Sequence, residues 1–206
     1  MDRLTEQLAT FATTLNFDRL GDEVAQSVTQ HLVDTLACAF AAHDCEAADI
    51  GRRLAGGQTA GLYAGRTLFV DATMPLEMAS FVNSGMIRKY DFNDRFPGGH
   101  PSDGLGAHLA LAGAAPFSGK QFLVAMMVTY EIYTRLCDGA NLRKLGWDQG
   151  FMVAVSTTAG ICNLLGLTLE QTANAIGMSA TASVPLRVTR SGELTSWKSV
   201  ATSFAA

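Results

Sequence analysis

The sequence predicts an all-α domain of seven to nine helices, and three observations lead there. Apolar residues recur at helical rather than alternating intervals, most clearly at Val24, Val28, Leu32, Leu36 and Phe40. Helix start and stop signals punctuate the chain: Ser118 sits as an N-cap, Thr168 precedes a Gln by three residues, and Gly166 closes an apolar run. An extended reading is open to only one glycine-broken stretch, residues 56–71.

In chain order, a first helix is expected over Leu4–Leu15, followed by the long striped helix ending near Phe40. In residues 56–71, Leu62-Tyr63 and Thr67–Val70 suit either a short extended pair or a packed loop. Pro75 fits the first turn of a helix running to about Lys89. A loop rich in Gly and Pro spans Tyr90–Gly104, and a helix of small residues covers Leu105–Ala115. Ser118 caps a helix through Phe122 and Tyr133 to about Asp138. Asp148–Leu165 forms another, and one starting at Thr168 fades near Ser179. A loop with Pro185, Arg187, Arg190 and Gly192 leads to a last helix around Ser196–Ala206. That helix ends without a cap, so the 206 residues are expected to be part of a longer polypeptide or to be completed by a second chain. No internal repeat occurs.

Composition narrows the function. The chain has 206 residues, 48% of them hydrophobic and 17% charged, which points to a buried core and argues against disorder. Fifteen Lys and Arg against nineteen Asp and Glu give a net charge of -4, with no basic excess to neutralise phosphates, so no nucleic-acid partner is expected. The most apolar run, Phe122–Val128, is far below the ~20 residues of a spanning helix, and Met1–Glu6 does not start a secretory signal. Cys38, Cys45, Cys137 and Cys162 are scattered, as expected of reduced thiols in a cytoplasmic protein.

Chemistry concentrates in two segments. Lys89–Asp103 combines Asp91, Asn93, Asp94, His100 and Ser102 with glycines and prolines that impose an irregular backbone. His100 is the group able to exchange protons near neutral pH, and Asp91 or Asp94 can orient it or act as a base. The plain alternative is a surface loop whose Asp and Asn cap turns. Arg187–Lys198 places two arginines three apart before a lysine in the first turn of a helix, which suits a carboxylate ligand or, alternatively, a solvated loop. Around Gly146–Met152, Trp147 and Phe151 read as core and Asp148 as a helix-start acid. His31 and His108 read as packed histidines. No metal-ligand spacing, phosphate loop or nucleophile elbow is present.

These segments resemble the MmgE/PrpD family of dehydratases, decarboxylases and epimerases that act on small carboxylates. The likeness runs through Val33–Cys38, Asn83-Ser84-Gly85, Asp91-Phe92-Asn93-Asp94, His100-Pro101-Ser102, Gly150-Phe151, Leu164–Leu167, Glu170-Gln171, Arg187–Gly192 and Trp197-Lys198. It implies that residues 1–206 form the N-terminal helical domain, lacking a C-terminal α+β domain. The resemblance further implies a homodimer, no metal or organic cofactor, and a di- or tricarboxylate substrate. Asp91, His100 and Lys198 would then be catalytic, with Arg187, Arg190, Asn93 and Ser102 binding substrate. Arg95, Met152 and a shortened gap between Asp91 and His100 depart from the decarboxylase branch. The implied activity is a hydro-lyase that removes a proton beside a carboxylate and expels water. The alternatives are an epimerase using the same proton abstraction, or a non-catalytic helical half of a split enzyme.

Overall fold

A computed structural model describes residues 1–58, 64–182, 185–191 and 197–206. Among them, nine α-helices and one two-stranded ribbon occur, so the all-α expectation holds. The first helix, α1 (Arg3–Thr14), begins where the Asp2 carboxylate accepts the Leu4 and Thr5 N–H groups. The next, α2 (Asp22–Ala41), carries the striped segment, but the stripe does not stay inside. Each step of four residues advances ~40° around a helix, so five such positions wrap far around it. Val28 is buried while Phe40 is 61% exposed, and the core face runs instead through Val28, Thr35, Cys38 and Ala39.

Helix α3 (Glu46–Ala55) has no counterpart in the hydrophobic pattern, because it buries Ala48, Gly51 and Ala55 rather than large side chains. Its acids at the start, Glu46 and Asp49, and bases at the end, Arg52 and Arg53, are what favour it. Strands β1 (Ala64–Arg66) and β2 (Thr73–Pro75) pair antiparallel, with Gly65 opposite Met74. Of the two readings open for Thr67–Val70, the loop holds, since these residues connect the two strands, and Leu62-Tyr63 lies outside the described residues.

Helix α4 (Leu76–Arg88) is central, packed against α2, α3 and α5 (Leu105–Ala112). Asn83 of α4 is fully buried yet satisfied: its Oδ1 accepts the Leu68 N–H at 2.9 Å and its Nδ2 donates to the Arg66 carbonyl at 3.1 Å. Gly106 lets α5 approach α4, since a Cβ there would lie 2.4 Å from the Ser84 backbone nitrogen. Helix α6 (Gly119–Gly139) starts at the expected Ser118 cap, to which Gln121 adds a reciprocal bond, and packs most extensively on α7 (Gly150–Leu165), which Gly166 terminates at φ +65°. Helix α8 (Leu169–Ala182) then covers α1 and α7. The short α9 (Trp197–Val200) ends as turns, shorter than the expected helix to Ala206.

Two cores result. One is centred on Val82, Met86 and Ile87 of α4 with Leu105, Phe122 and Met126; the other joins Ala9, Val128, Ile132, Val155 and Ile176. Among the described residues, no helix is long and apolar enough to cross a membrane. An apolar cavity of about 710 Å³ opens beside α4, α5, α7 and Phe204, and it shares no lining residue with the polar cavity described next.

Candidate active site

The irregular loop between α4 and α5 is anchored at both ends. Arg88 ends α4, and Asp91 then takes a left-handed backbone at φ +62°, a conformation tolerated mainly by Gly, Asn and Asp. Phe96 and Gly99 exchange two backbone hydrogen bonds of 2.9 Å, closing a tight reversal that delivers His100 to the head of the 3₁₀ turn Pro101–Gly104 and so to α5.

Beneath the loop lies a buried polar floor. Asp103 is fully buried, accepts hydrogen bonds from Asn93 Nδ2 at 2.9 Å and Gln149 Nε2 at 3.2 Å, and stands 3.3 Å from Arg88 Nε. Burial pushes its carboxyl up, and the neighbouring Arg88 charge pulls against that. Arg88, itself only 4% exposed, turns its Nη1 to Asp91. Gln149 also accepts the His100 backbone N–H at 3.1 Å. A buried charge of this kind is tolerable only with such partners, so the floor fixes both ends of the loop to each other.

Above the floor, the imidazole of His100 donates from Nδ1 to the Asp94 carbonyl at 2.7 Å. That bond fixes the neutral tautomer and leaves Nε2 to accept a proton, 3.4 Å from Asp91 Oδ1. Lys198 Nζ donates to Asp91 Oδ2 at 2.5 Å, across 107 positions of chain. Partial burial alone would push the Asp91 carboxyl up, but the hydrogen bonds from Lys198 and Arg88, helped by their charges, outweigh it and hold it at about 2. Asp91 is therefore a carboxylate throughout the neutral range.

Asp91, His100 and Lys198 open onto a cavity of about 330 Å³, also lined by Arg88, Arg95, Arg143, Arg187, Arg190, Asp148, Gln149 and the Phe96–Gly99 turn. Six permanent cations thus face two carboxylates inside a chain whose net charge is -4. Among the described residues, Arg95, Arg143 and Arg187 have no ion pair. Such a concave cationic site concentrates small polyanions and can hold their carboxylates by bidentate guanidinium contacts.

The other expected residues distribute differently. Asn93 and Ser102 do not line the cavity: both are buried, bonded to each other at 2.8 Å, and Ser102 Oγ also donates to Asp94 at 2.5 Å. They lie beneath the loop and not on the cavity wall, where substrate-binding residues were expected. Arg190 reaches the wall with its guanidinium committed to Asp148, which in turn accepts the Gly150 N–H at the start of α7, as a helix-start acid should. His31 is not packed but exposed, against Tyr130, whereas His108 is buried as expected. Met152 is buried and touches Cys137 sulfur at 3.2 Å, away from the cavity wall. Residues 192–196 lie outside the described residues. Sequence reasoning missed Arg88, Asp103, Gln149 and Arg143. An arginine closing an otherwise apolar helix, beside Lys89, was the available signal for Arg88.

Comparison with known proteins bears on this geometry. Residues 6–206 match the model of the MmgE/PrpD N-terminal domain. The 2-methylcitrate dehydratase of Escherichia coli (strain K12) is 31% identical over 194 residues, covering 85% of this chain and 39% of that relative. The 2-methylcitrate dehydratases of Salmonella typhi (32% over 176 residues; 77% and 36%) and Cupriavidus necator (31% over 187 residues; 81% and 38%) match similarly. The chain thus spans about two fifths of the length of these curated relatives. With a matching N-terminal domain along nearly all of its length, the chain belongs to the MmgE/PrpD family.

Proposed function

We propose that this chain is the proton-transfer domain of a hydro-lyase that dehydrates a small hydroxy di- or tricarboxylate of the 2-methylcitrate type. The observation that carries the reading is the convergence of His100 Nε2, Asp91 and Lys198 on one cationic cavity. A proton on carbon beside a carboxylate is a feeble acid, so its removal requires both a base and stabilisation of the charge that develops. In this reading His100 Nε2 takes that proton. Lys198 and Arg187, with Arg95 and Arg143 at the rim, hold the substrate carboxylates and the developing charge. The C–H electron pair becomes the new C=C bond, the C–O pair leaves with the hydroxyl, and the proton from Nε2 completes a water molecule. Asp91 orients the imidazolium and accepts a hydrogen bond from Lys198. Polypeptide corresponding to the rest of the relatives' length supplies the remaining site.

The test is turnover of 2-methylcitrate in deuterated water by the full-length protein, followed by proton NMR and ultraviolet absorbance, in wild-type and His100→Ala forms. Dehydration gives an absorbing alkene, and the substitution lowers kcat by ~10²–10⁴-fold, the range of a general acid–base group. Deuterium uptake into substrate without alkene assigns epimerisation instead. Near-native turnover by His100→Ala removes His100 from the mechanism.

A further inference from the structure

We propose that Asp148 and Arg190 form a positioning clamp that sets Lys198 against Asp91. This rests on reading Lys198 as a functional cation, though its test needs no turnover. Arg190 is a cavity-wall arginine whose fork is already occupied: Nε donates to Asp148 Oδ2 at 2.5 Å and Nη2 to Oδ1 at 3.0 Å, a bidentate pair with side chains 10% and 2% exposed. Its Nη1 donates at 3.0 Å to the backbone carbonyl of Lys198 itself. Three of the five guanidinium N–H groups are thus spent inside the protein.

The clamp is braced from the other side. The Asp148 N–H donates to the Pro185 carbonyl at 2.9 Å and the Arg187 N–H to the Gly146 carbonyl at 2.9 Å, so the strand-like pairing of Trp147 with Leu186 ties the start of α7 to the arginine turn. Lys198 needs such a tether. Its helix is four residues long, too short to persist alone, and its bond to Asp91 joins side chains 36% and 42% exposed. An exposed ion pair is too weak to order a chain segment, whereas a buried bidentate pair anchored to α7 is not. Asp148 therefore governs where the Lys198 ammonium sits while remaining remote from it in sequence.

The experiment is competitive acetylation of the four native lysines, Lys89, Lys120, Lys144 and Lys198, in wild type, in Arg190→Lys (whose new side chain is a fifth site, read separately) and in Asp148→Asn. In wild type, Lys198 is the slow one. Arg190→Lys keeps the charge but loses the fork, and Lys198 labelling rises by up to about fivefold, the ceiling for release from an exposed ion pair. Lys120 and Lys144 stay unchanged, which a general loosening of the fold would not allow. Unchanged Lys198 labelling in folded variants overturns the clamp. It would leave Arg190 as a substrate contact, a role that alters ligand binding but not labelling of the free chain. Should both variants fail to fold, side-chain NMR of the unmutated protein decides. Slow solvent exchange of the Arg190 Nε–H supports the clamp, and exchange as fast as that of exposed Arg53 refutes it. Loss of the dehydratase reading leaves every one of these readouts in force.

Discussion

Replacing Lys198 with Met removes one of the two cations that hold the Asp91 carboxyl at about 2, against an ordinary value of 3.8. The full displacement of nearly two pH units would correspond to ~2.5 kcal/mol at 1.36 kcal/mol per unit. That figure overstates the contribution of Lys198, because its side chain and that of Asp91 are 36% and 42% exposed and water screens them. An exposed pair contributes at most ~1 kcal/mol, so the Asp91 midpoint is expected to rise by roughly 0.7 pH units. The buried Arg88 remains and keeps the carboxyl below its ordinary value. The assay is a carbon-13 NMR titration of the side-chain carboxyls. A stability comparison adds the sign. A carboxyl held low in the folded state adds stability above its unfolded value, and that stability is lost as pH falls through the folded value. Wild type should therefore exceed Lys198→Met in stability above about pH 4, with the gap narrowing as pH falls from there and closing only below about 2. An unmoved Asp91 midpoint, with a stability gap independent of pH, would refute the Lys198–Asp91 contact on which the site is built.

Two further outcomes follow from the same geometry. Burial pushes the His108 imidazole down to about 4, from 6.5, with its ring nitrogens facing the Gly104 carbonyl and Thr129 Oγ1. The unfolded chain takes up that proton first, so stability should fall between pH 6.5 and about 4 by up to ~3 kcal/mol, and denaturant unfolding of His108→Gln should lack this slope. A wild-type midpoint constant across that range would contradict a buried neutral ring. Gly99→Ala would put a Cβ 1.4 Å from Gln149 Oε1 and 2.3 Å from the Tyr133 hydroxyl. Gln149 must then give up the His100 N–H, and a loss of ~1–3 kcal/mol in thermal or urea unfolding is expected, as for overpacked cores. An unaffected His100 amide resonance would show that Gln149 does not hold the loop.

Where the sequence carried a local signal, it was enough. The Ser118 cap, Thr168 with Gln171, and Gly166 are interactions within one turn, and each occurs as the residues imply. The stripe on α2 misled because fourfold spacing resembles a helical face for two turns and then rotates off it, leaving Phe40 outside. Helix α3 escaped notice because its buried positions are Ala and Gly, which carry little hydrophobic contrast. In the site, His100 stood out because proton chemistry near neutrality admits few residue types, whereas the residues alone left Asp91 and Asp94 open and the family resemblance chose between them. Asn93 and Ser102 share that loop but turn inward, and nothing in residue type distinguishes a polar group beneath a loop from one above it. Asp103, Gln149 and Arg88 could not be joined from sequence, because what defines them is mutual burial across three separate elements.

The charge arrangement explains why the cavity carries carboxylates at all. Six cations crowded around a concave surface repel one another, and the two acids lower that cost while leaving the site cationic. They do so unequally. Asp148 is buried and its partner Arg190 is held at both oxygens, an arrangement suited to permanence. Asp91 is exposed enough to be approached from the cavity and shares its oxygens among Arg88, Lys198 and His100. An arriving substrate carboxylate can therefore compete with Asp91 for Lys198 far more readily than with Asp148 for Arg190. In the proposed dehydration, that asymmetry makes Asp91 the carboxylate that can release the ammonium to substrate and face the imidazolium formed when His100 takes its proton. The exposed pair is the one open to exchange, and the buried pair is the one fixed in the wall.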